Sequence, residues 1–178
     1  GHHGMNKDAW KRFDRSGSWY YDVVTPGFKY NMTDLQAAIG LHQLDRLAGF
    51  QKRRREVVAL YEARLGKLGC LQLPVEREEV ESSWHLYVVR LRLDRIGIDR
   101  NGFIEELKAR NIGTSVHYLP VHMQPYYRDK YGYRPEDCPV AADAFSRMLS
   151  VPLHPGMTDQ DAADVCEAIE DIVRLHTA

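Results

Sequence analysis

The densest set of chemistry-bearing side chains is His117-Tyr118-x-Pro120-x-His122-x-x-x-Tyr126-Tyr127. Imidazoles and phenols donate and accept hydrogen bonds while their rings offer flat apolar faces, a combination suited to sugar hydroxyls and to a nucleotide. Pro120 and Pro125 stiffen the segment, so less order is lost on binding. The same residues also describe a buried aromatic cluster with internally satisfied histidines, and spacing alone leaves both readings open. A second set, Gly27-Phe28-Lys29-Tyr30-Asn31, directly precedes a helix start at Thr33. A lysine beside a helix N-terminus adds its charge to the helix dipole, and together they can hold a phosphate. Lys29 and Asn31 are therefore candidates, against the plainer reading of an exposed turn. His85 begins a strand pattern after Ser82-Ser83-Trp84, a place where a lone histidine is usually structural.

Other chemistries find less support. His117 and His122 are five residues apart without a nearby acidic partner, and neither H-E-x-x-H nor a Cys/His ligand set occurs, so no metal site is expected. There is no G-x-S-x-G elbow for a nucleophilic serine. Cys70, Cys138 and Cys166 are widely spaced and odd in number, which argues against a disulfide framework and fits a reducing cytoplasm. With 24 basic and 25 acidic residues in 178, no global field favours nucleic acid or an anionic membrane. No apolar run approaches the roughly 20 residues that span a bilayer, and the chain reads as soluble.

The elements that must position these residues follow from periodicity and capping. Thr33 and Gln36 have the spacing of a capping box, and Leu35, Ala38, Ile39, Leu41, Leu44 and Leu47 then fall on one face of a packed helix. The spacing continues through Phe50, Val57, Tyr61, Leu65 and Leu68. It predicts one long helix, or two with a bend near Gly49, reaching Gly69. About 35 residues would span about 50 Å, which suggests a helix bridging two bodies or subunits. The basic run Lys52 to Arg55 reads as a solvated helix face, with phosphate binding as the alternative.

Before that helix, residues 1–18 read as a polar arm with a break at Ser16-Gly17-Ser18. Trp19, Tyr20, Tyr21, Val23 and Val24 form a short strand pattern stopped by Pro26-Gly27. After it, residues 70–83 read as a surface connector, and the segment from His85 to Leu93 alternates as a half-buried strand from Tyr87 onward. Asp99 can cap a helix with Phe103, Ile104 and Leu107 on its apolar face. Thr114 to Tyr118 reads as a second strand, Met123 to Tyr131 as helical, Val140 to Met148 as a helix and Leu149 to Leu153 as a third strand. Thr158 with Asp161 starts a last helix that buries Ala162, Val165, Ile169, Ile172 and Val173. The expected fold is α+β, an α/β sandwich with a small sheet of about three strands, helices packed on it and a long N-terminal helix.

Three stretches in order, GFKYNMTDLQAAIGLHQL, SSWHLYVVRL and GTSVHYLPVHMQPYY, closely resemble the sugar aminotransferases of the DegT/StrS type, which use pyridoxal phosphate on nucleotide-linked keto-sugars. The resemblance covers nearly the whole chain. HGMNKDAW resembles an internal piece of that family found after its catalytic lysine. The resemblance therefore implies the C-terminal part of a fold-type I enzyme, with residues 1–32 as arm and interface turn, residues 33–178 as the small domain, and a larger cofactor domain ahead of them outside this sequence.

The resemblance also assigns roles. His117, Tyr118 and Tyr126 match positions that contact the nucleotide-sugar, and His85 lies near the cofactor end of the small domain, where it can support substrate binding. The Lys29–Asn31 turn reaches across a homodimer interface toward the pyridoxal phosphate or the substrate. Many members carry Asn where Lys29 stands and Arg where Asn31 stands. Transamination needs a Schiff-base lysine with an acidic partner for the cofactor ring. Lys7, Lys11, Lys52, Lys67, Lys108 and Lys130 lack the family's surroundings for that role, so no catalytic residue is expected here and the isolated chain is expected to be inactive. Glutamate is the implied amino donor. A keto-sugar dehydratase of the same family and a non-catalytic dimerisation module are the alternatives.

Overall fold

Two capping boxes start the two longest helices. Thr33 N–H donates to Gln36 Oε1 at 3.0 Å and Gln36 N–H to Thr33 Oγ1 at 3.3 Å, opening α1 (Asp34–Leu65). Thr158 N–H donates to Asp161 Oδ2 at 2.7 Å and Asp161 N–H to Thr158 Oγ1 at 3.1 Å. That second box opens the C-terminal helix, Asp159–His176. The computed structural model describes residues 2–5 and 22–177, which fall into two units, Gly1–Leu47 and Ala48–Ala178. The arm with its Ser16-Gly17-Ser18 break, and Trp19 to Tyr21 of the first strand pattern, lie outside the described residues.

In the first unit, Met5 pairs with Val23 in an isolated antiparallel bridge, Val24 N–H donates to Gly4 O at 2.9 Å, and His3 N–H to Phe28 O at 3.4 Å. Gly4 has φ +79°, and a Cβ there would sit 1.7 Å from the Thr25 carbonyl oxygen. Only glycine allows this approach. Residues 26–33 then run without regular structure into α1.

The helix is continuous over 32 residues, so one helix rather than two stands here. It stops at Leu65, four residues short of Gly69. A packed face over its first half is not what the structure has: Leu35 is 80% exposed, Ile39 65% and Leu44 66%. Periodicity reports which face is apolar, and these side chains remain open to solvent.

The second unit is built on a three-stranded antiparallel sheet, order β1 (Leu71–Gln72), β2 (Tyr87–Leu91), β3 (Met148–Val151). Tyr87, Val89 and Leu91 point into the core, where they meet Val57, Tyr61 and Leu65 of α1. The core also takes Phe103 and Leu107 from α2 (Arg100–Ala109), Leu149 from β3, and Ala162, Val165, Ile169, Ile172 and Val173 from the C-terminal helix. Asp99 caps α2 as expected, its Oδ1 accepting from Gly102 N–H at 2.7 Å. Two shorter helices follow, α3 (Pro125–Tyr131) and α4 (Pro139–Arg147), each with proline in its first turn, where the missing N–H costs nothing. The C-terminal helix is α5. The α+β class is as read.

Three local readings need correction. Residues 70–83 are not wholly a surface connector: Leu71 pairs with Leu91 and Gln72 with Arg90, and two residues are too few to show a period. Thr114 to Tyr118 is not a strand. Only Ser115 joins the sheet edge, exchanging backbone hydrogen bonds of 3.2 and 2.7 Å with Ser150 before the chain departs toward Pro120. Nor is the basic run a free solvated face. Arg53 bridges to Asp159 at 2.8 Å and to the Met157 carbonyl at 2.9 Å, and Arg55 pairs with Glu81. Arg54 Nη1 donates to the carbonyls of Trp84 (3.0 Å), Leu153 (3.2 Å) and His85 (3.4 Å). Further along the same helix, Arg64 holds both oxygens of Glu170 on α5, at 3.0 and 2.5 Å.

Candidate functional site

The site residues of the second unit are set by where the chain leaves Ser150. The Ser115–Ser150 pair delivers residue 117 beside β3, and His117 Nδ1 lies 2.8 Å from the buried Ser150 Oγ. That contact fixes the imidazole, and the Tyr118 ring stands edge-on to it at 4.9 Å. Tyr118 itself is 72% exposed.

After Pro120, a single 3-10 turn (Val121–Met123) turns His122 inward, to 8% exposure. Its Nε2 is buried without a hydrogen-bond partner among the described residues. Gln124 closes the turn by donating its side-chain amide to the Leu119 carbonyl at 3.3 Å.

The next element supplies an aromatic ladder. Tyr126 meets Tyr127 at 5.2 Å, Tyr127 stacks on Tyr131 at 6.3 Å, and Tyr131 meets Tyr133 at 6.0 Å. Lys130 Nζ donates to the Tyr126 hydroxyl at 2.9 Å and sits over the Tyr126 and Tyr131 rings at 5.2 and 5.5 Å. Cation–π attraction of this kind holds a lysine against rings that stay accessible.

Between these segments and α4 lies a cleft of about 630 Å³. His117, Tyr118, Pro120, Val121, His122, Tyr127 and Tyr133 line one part of it, and Cys138, Ala141, Ala144, Phe145 and Met148 the other. Volume and lining are those of a small-molecule site: mostly apolar, with a few fixed polar groups. The cysteine at this cleft is exposed, whereas Cys70 and Cys166 are buried. Burial pushes the Cys166 thiol up to about 12, so it remains protonated and inert.

Of the residues singled out in the sequence, His117 and Tyr118 share this cleft. Tyr126 is the neighbour of a lining residue and does not itself line it; Tyr127 does. His85 lies outside it, exposed, with its carbonyl receiving Arg54 and with Trp84 before it at φ +46°. Lys29 and Asn31 belong to the first unit and are exposed there, in the irregular segment ahead of Thr33. One contributor escaped the sequence reading: Ser150, the lone polar residue in an apolar strand, a signal that was legible.

The fit to pyridoxal phosphate is partial at most. The aldehyde end of that cofactor needs a lysine amine in a sheltered position. Lys29, Lys52, Lys67, Lys108 and Lys130 are all exposed, and none lines the His117 cleft. The described residues therefore do not make a Schiff-base site. Among them there is also no group of three His, Cys, Asp or Glu that could hold a metal, and no helix long and apolar enough to cross a membrane.

The spore coat polysaccharide biosynthesis protein SpsC of Bacillus subtilis is 47% identical over 173 residues, 97% of this chain and 44% of that protein. Spr1654 of Streptococcus pneumoniae, assigned as a sugar aminotransferase and solved in its PMP form, is 33% identical with TM-score 0.79, over 97% of this chain and 43% of that one. Helicobacter pylori PseC, at 20% identity, TM-score 0.74 and coverage of 98% and 44%, shares the fold. The chain thus spans less than half the length of the relatives it matches. The sequence profile of the DegT/DnrJ/EryC1/StrS aminotransferases matches residues 1–170, and the chain belongs to that family.

Proposed function

We propose that this chain is the C-terminal part of a pyridoxal phosphate-dependent aminotransferase that moves an amino group from glutamate to a nucleotide-linked keto-sugar, in the synthesis of a cell-surface polysaccharide. The observation that carries this reading is the cleft walled by His117 and Tyr118 within a chain whose match to the family runs from residue 1 to residue 170. A polysaccharide biosynthesis protein among its relatives, and a sugar aminotransferase in PMP and PLP forms among its structural neighbours, support the substrate and cofactor classes. The work of this chain is binding. His117, held by Ser150, and the exposed phenols of Tyr118 and Tyr126 offer hydrogen bonds to sugar hydroxyls, with His85 in a supporting place. The Schiff-base lysine and the acidic partner of the cofactor ring come from the preceding domain of the parent, so the isolated chain is inactive. The enzyme works in the cytoplasm, with neither nucleic acid nor membrane as partner.

The turn at Lys29 and Asn31 serves the cofactor phosphate or the substrate of the other subunit in a homodimer, where one patch acts reciprocally for both sites. Exposed Leu35, Ile39 and Leu44 directly behind that turn support an interface there. The test mixes two full-length variants, each nearly inactive alone: Lys29→Ala with Asn31→Ala, and one lacking the Schiff-base lysine. Subunit exchange is expected to restore a fraction of wild-type activity. Verified heterodimers that recover nothing, while the turn variant folds and binds the cofactor, would defeat the reading.

A further inference from the structure

We infer that Ser150 is a positioning residue: its hydroxyl donates to His117 Nδ1 and so keeps the proton of the neutral imidazole on Nε2, which makes the ring a hydrogen-bond donor toward an acceptor oxygen of the substrate. This rests on the function proposed above, which supplies the substrate. It starts from a polar side chain in a place where packing would favour an apolar one. Ser150 is 5% exposed on β3. Leu149 and Val151 on either side of it fill the core, so the pleat turns Ser150 to the opposite face of the sheet, where it meets His117.

The direction of that hydrogen bond follows from placing the protons. The backbone N–H and carbonyl of Ser150 are both engaged with Ser115, at 2.7 and 3.2 Å. Its side chain has one partner among the described residues, His117 Nδ1 at 2.8 Å. A hydroxyl always carries a proton, and a buried proton needs an acceptor. Nδ1 accepts only when it is bare, and the ring proton then sits on Nε2. The reverse arrangement, Nδ1–H donating to Oγ, would strand the hydroxyl proton in a buried place.

The other end of the ring is open. His117 is half-buried and lines the cleft. The buried unpaired side-chain atoms among the described residues are Gln51 Oε1, Tyr87 Oη and His122 Nε2; His117 Nε2 is not one of them and keeps accessible surface. The partner of one ring nitrogen sets what the other offers. Here it offers an N–H, which suits a carbonyl, ring or hydroxyl oxygen of a sugar. Without the serine the ring can rotate, or carry its proton on Nδ1, and that order must then be imposed at the moment of binding.

The first arm of the test locates the proton in the 178-residue chain. At about pH 8, above the ordinary histidine range, long-range 1H–15N spectra should show His117 protonated on Nε2, with a bare, hydrogen-bonded Nδ1. Ser150→Ala should move the Nδ1 resonance toward that of a free ring nitrogen, and Ser150→Thr, which keeps the hydroxyl, should restore it. A proton on Nδ1 in the wild type, or a spectrum that Ser150→Ala leaves unmoved, overturns the inference.

The second arm reads the consequence in the full-length protein, with uridine- and thymidine-diphosphate-linked 4-keto-6-deoxyglucose as probe substrates. Ser150→Ala should raise KM about threefold with kcat within about twofold, the pattern of lost binding. In a His117→Gln background the side-chain amide donates from the place of Nε2 with no tautomer to select, so Ser150→Ala should add less than about 1.5-fold there. A serine that only supports the strand would cost the same in both backgrounds, and that equality also overturns the inference. Contrary spectra together with a raised KM in His117→Ala would sink the role of Ser150 and leave the functional reading standing. The expected spectra together with an unchanged KM in His117→Ala would do the reverse.

Discussion

The two halves of α1 carry similar apolar spacing and end in opposite environments. In the first, Leu35, Ile39, Leu41 and Leu44 are exposed; in the second, Val57, Val58, Tyr61 and Leu65 are buried, the last two completely. The second half is also fastened by polar contacts: Tyr61 donates its hydroxyl to the Pro152 carbonyl at 2.6 Å, and Arg53 and Arg64 reach α5. Periodicity therefore identifies a surface that favours burial but not what buries it. Among the described residues, the buried apolar side chains all lie after Ala48.

The largest test of that contrast is a pair of truncations. Leu65→Ala is expected to cost about 2–5 kcal/mol, the transfer term plus a cavity, while Leu44→Ala should change stability by less than about 0.5 kcal/mol. Urea denaturation of both variants measures the difference, and equal losses would erase the distinction. A smaller contrast lies within the basic run. Arg54→Met leaves the carbonyls of Trp84 and Leu153 without their donor and should cost about 1–3 kcal/mol, whereas Lys52→Met, on an exposed side chain, should be near neutral in the same assay.

The smallest contrast compares the two capping boxes. Thr158→Ala should cost about 1 kcal/mol globally, because α5 is part of the core. Thr33→Ala should leave the global midpoint unchanged and speed amide exchange only in the first turn of α1. Acid should act on the α5 cap selectively. Hydrogen bonds from the backbone N–H and the hydroxyl of Thr158 hold the Asp161 carboxyl below the usual aspartate range. A depressed folded pKa means that this stabilisation is present above the ordinary aspartate pKa and is lost as pH falls through the lowered value. Asp161→Asn should therefore flatten the acid limb of the stability profile; an unchanged limb would show that the cap carries none of it.

The caps at Thr33, Asp99 and Thr158 were legible because a cap is chosen by residues three apart, and α5 because its apolar stripe is long. The parts that depend on distant partners were not. β1 exists only as a partner for Leu91 and Arg90, and the segment after Thr114 meets the sheet at a single residue, so neither carries a period of its own. For the candidate site, the His117–Tyr127 spacing pointed to residues several of which line one cleft. It did not reveal that Tyr127 rather than Tyr126 lines the cleft, or that His122 is buried with a nitrogen left over. Those facts depend on which way one 3-10 turn faces, which residue spacing alone does not encode.

The claim that this region binds the sugar substrate is tested most directly by kinetics and absorbance on the full-length protein that contains the chain. His117→Ala removes the imidazole that Ser150 orients, and Tyr126→Phe removes a hydroxyl that receives Lys130 and can still donate. Losing one such hydrogen bond is worth about 0.5–1.5 kcal/mol, more if a buried partner is left unpaired, so KM for the nucleotide-linked sugar should rise roughly twofold to tenfold while the cofactor absorbance stays as in the wild type. Unchanged KM and kcat in both variants, or loss of the cofactor spectrum in either, would contradict the assignment.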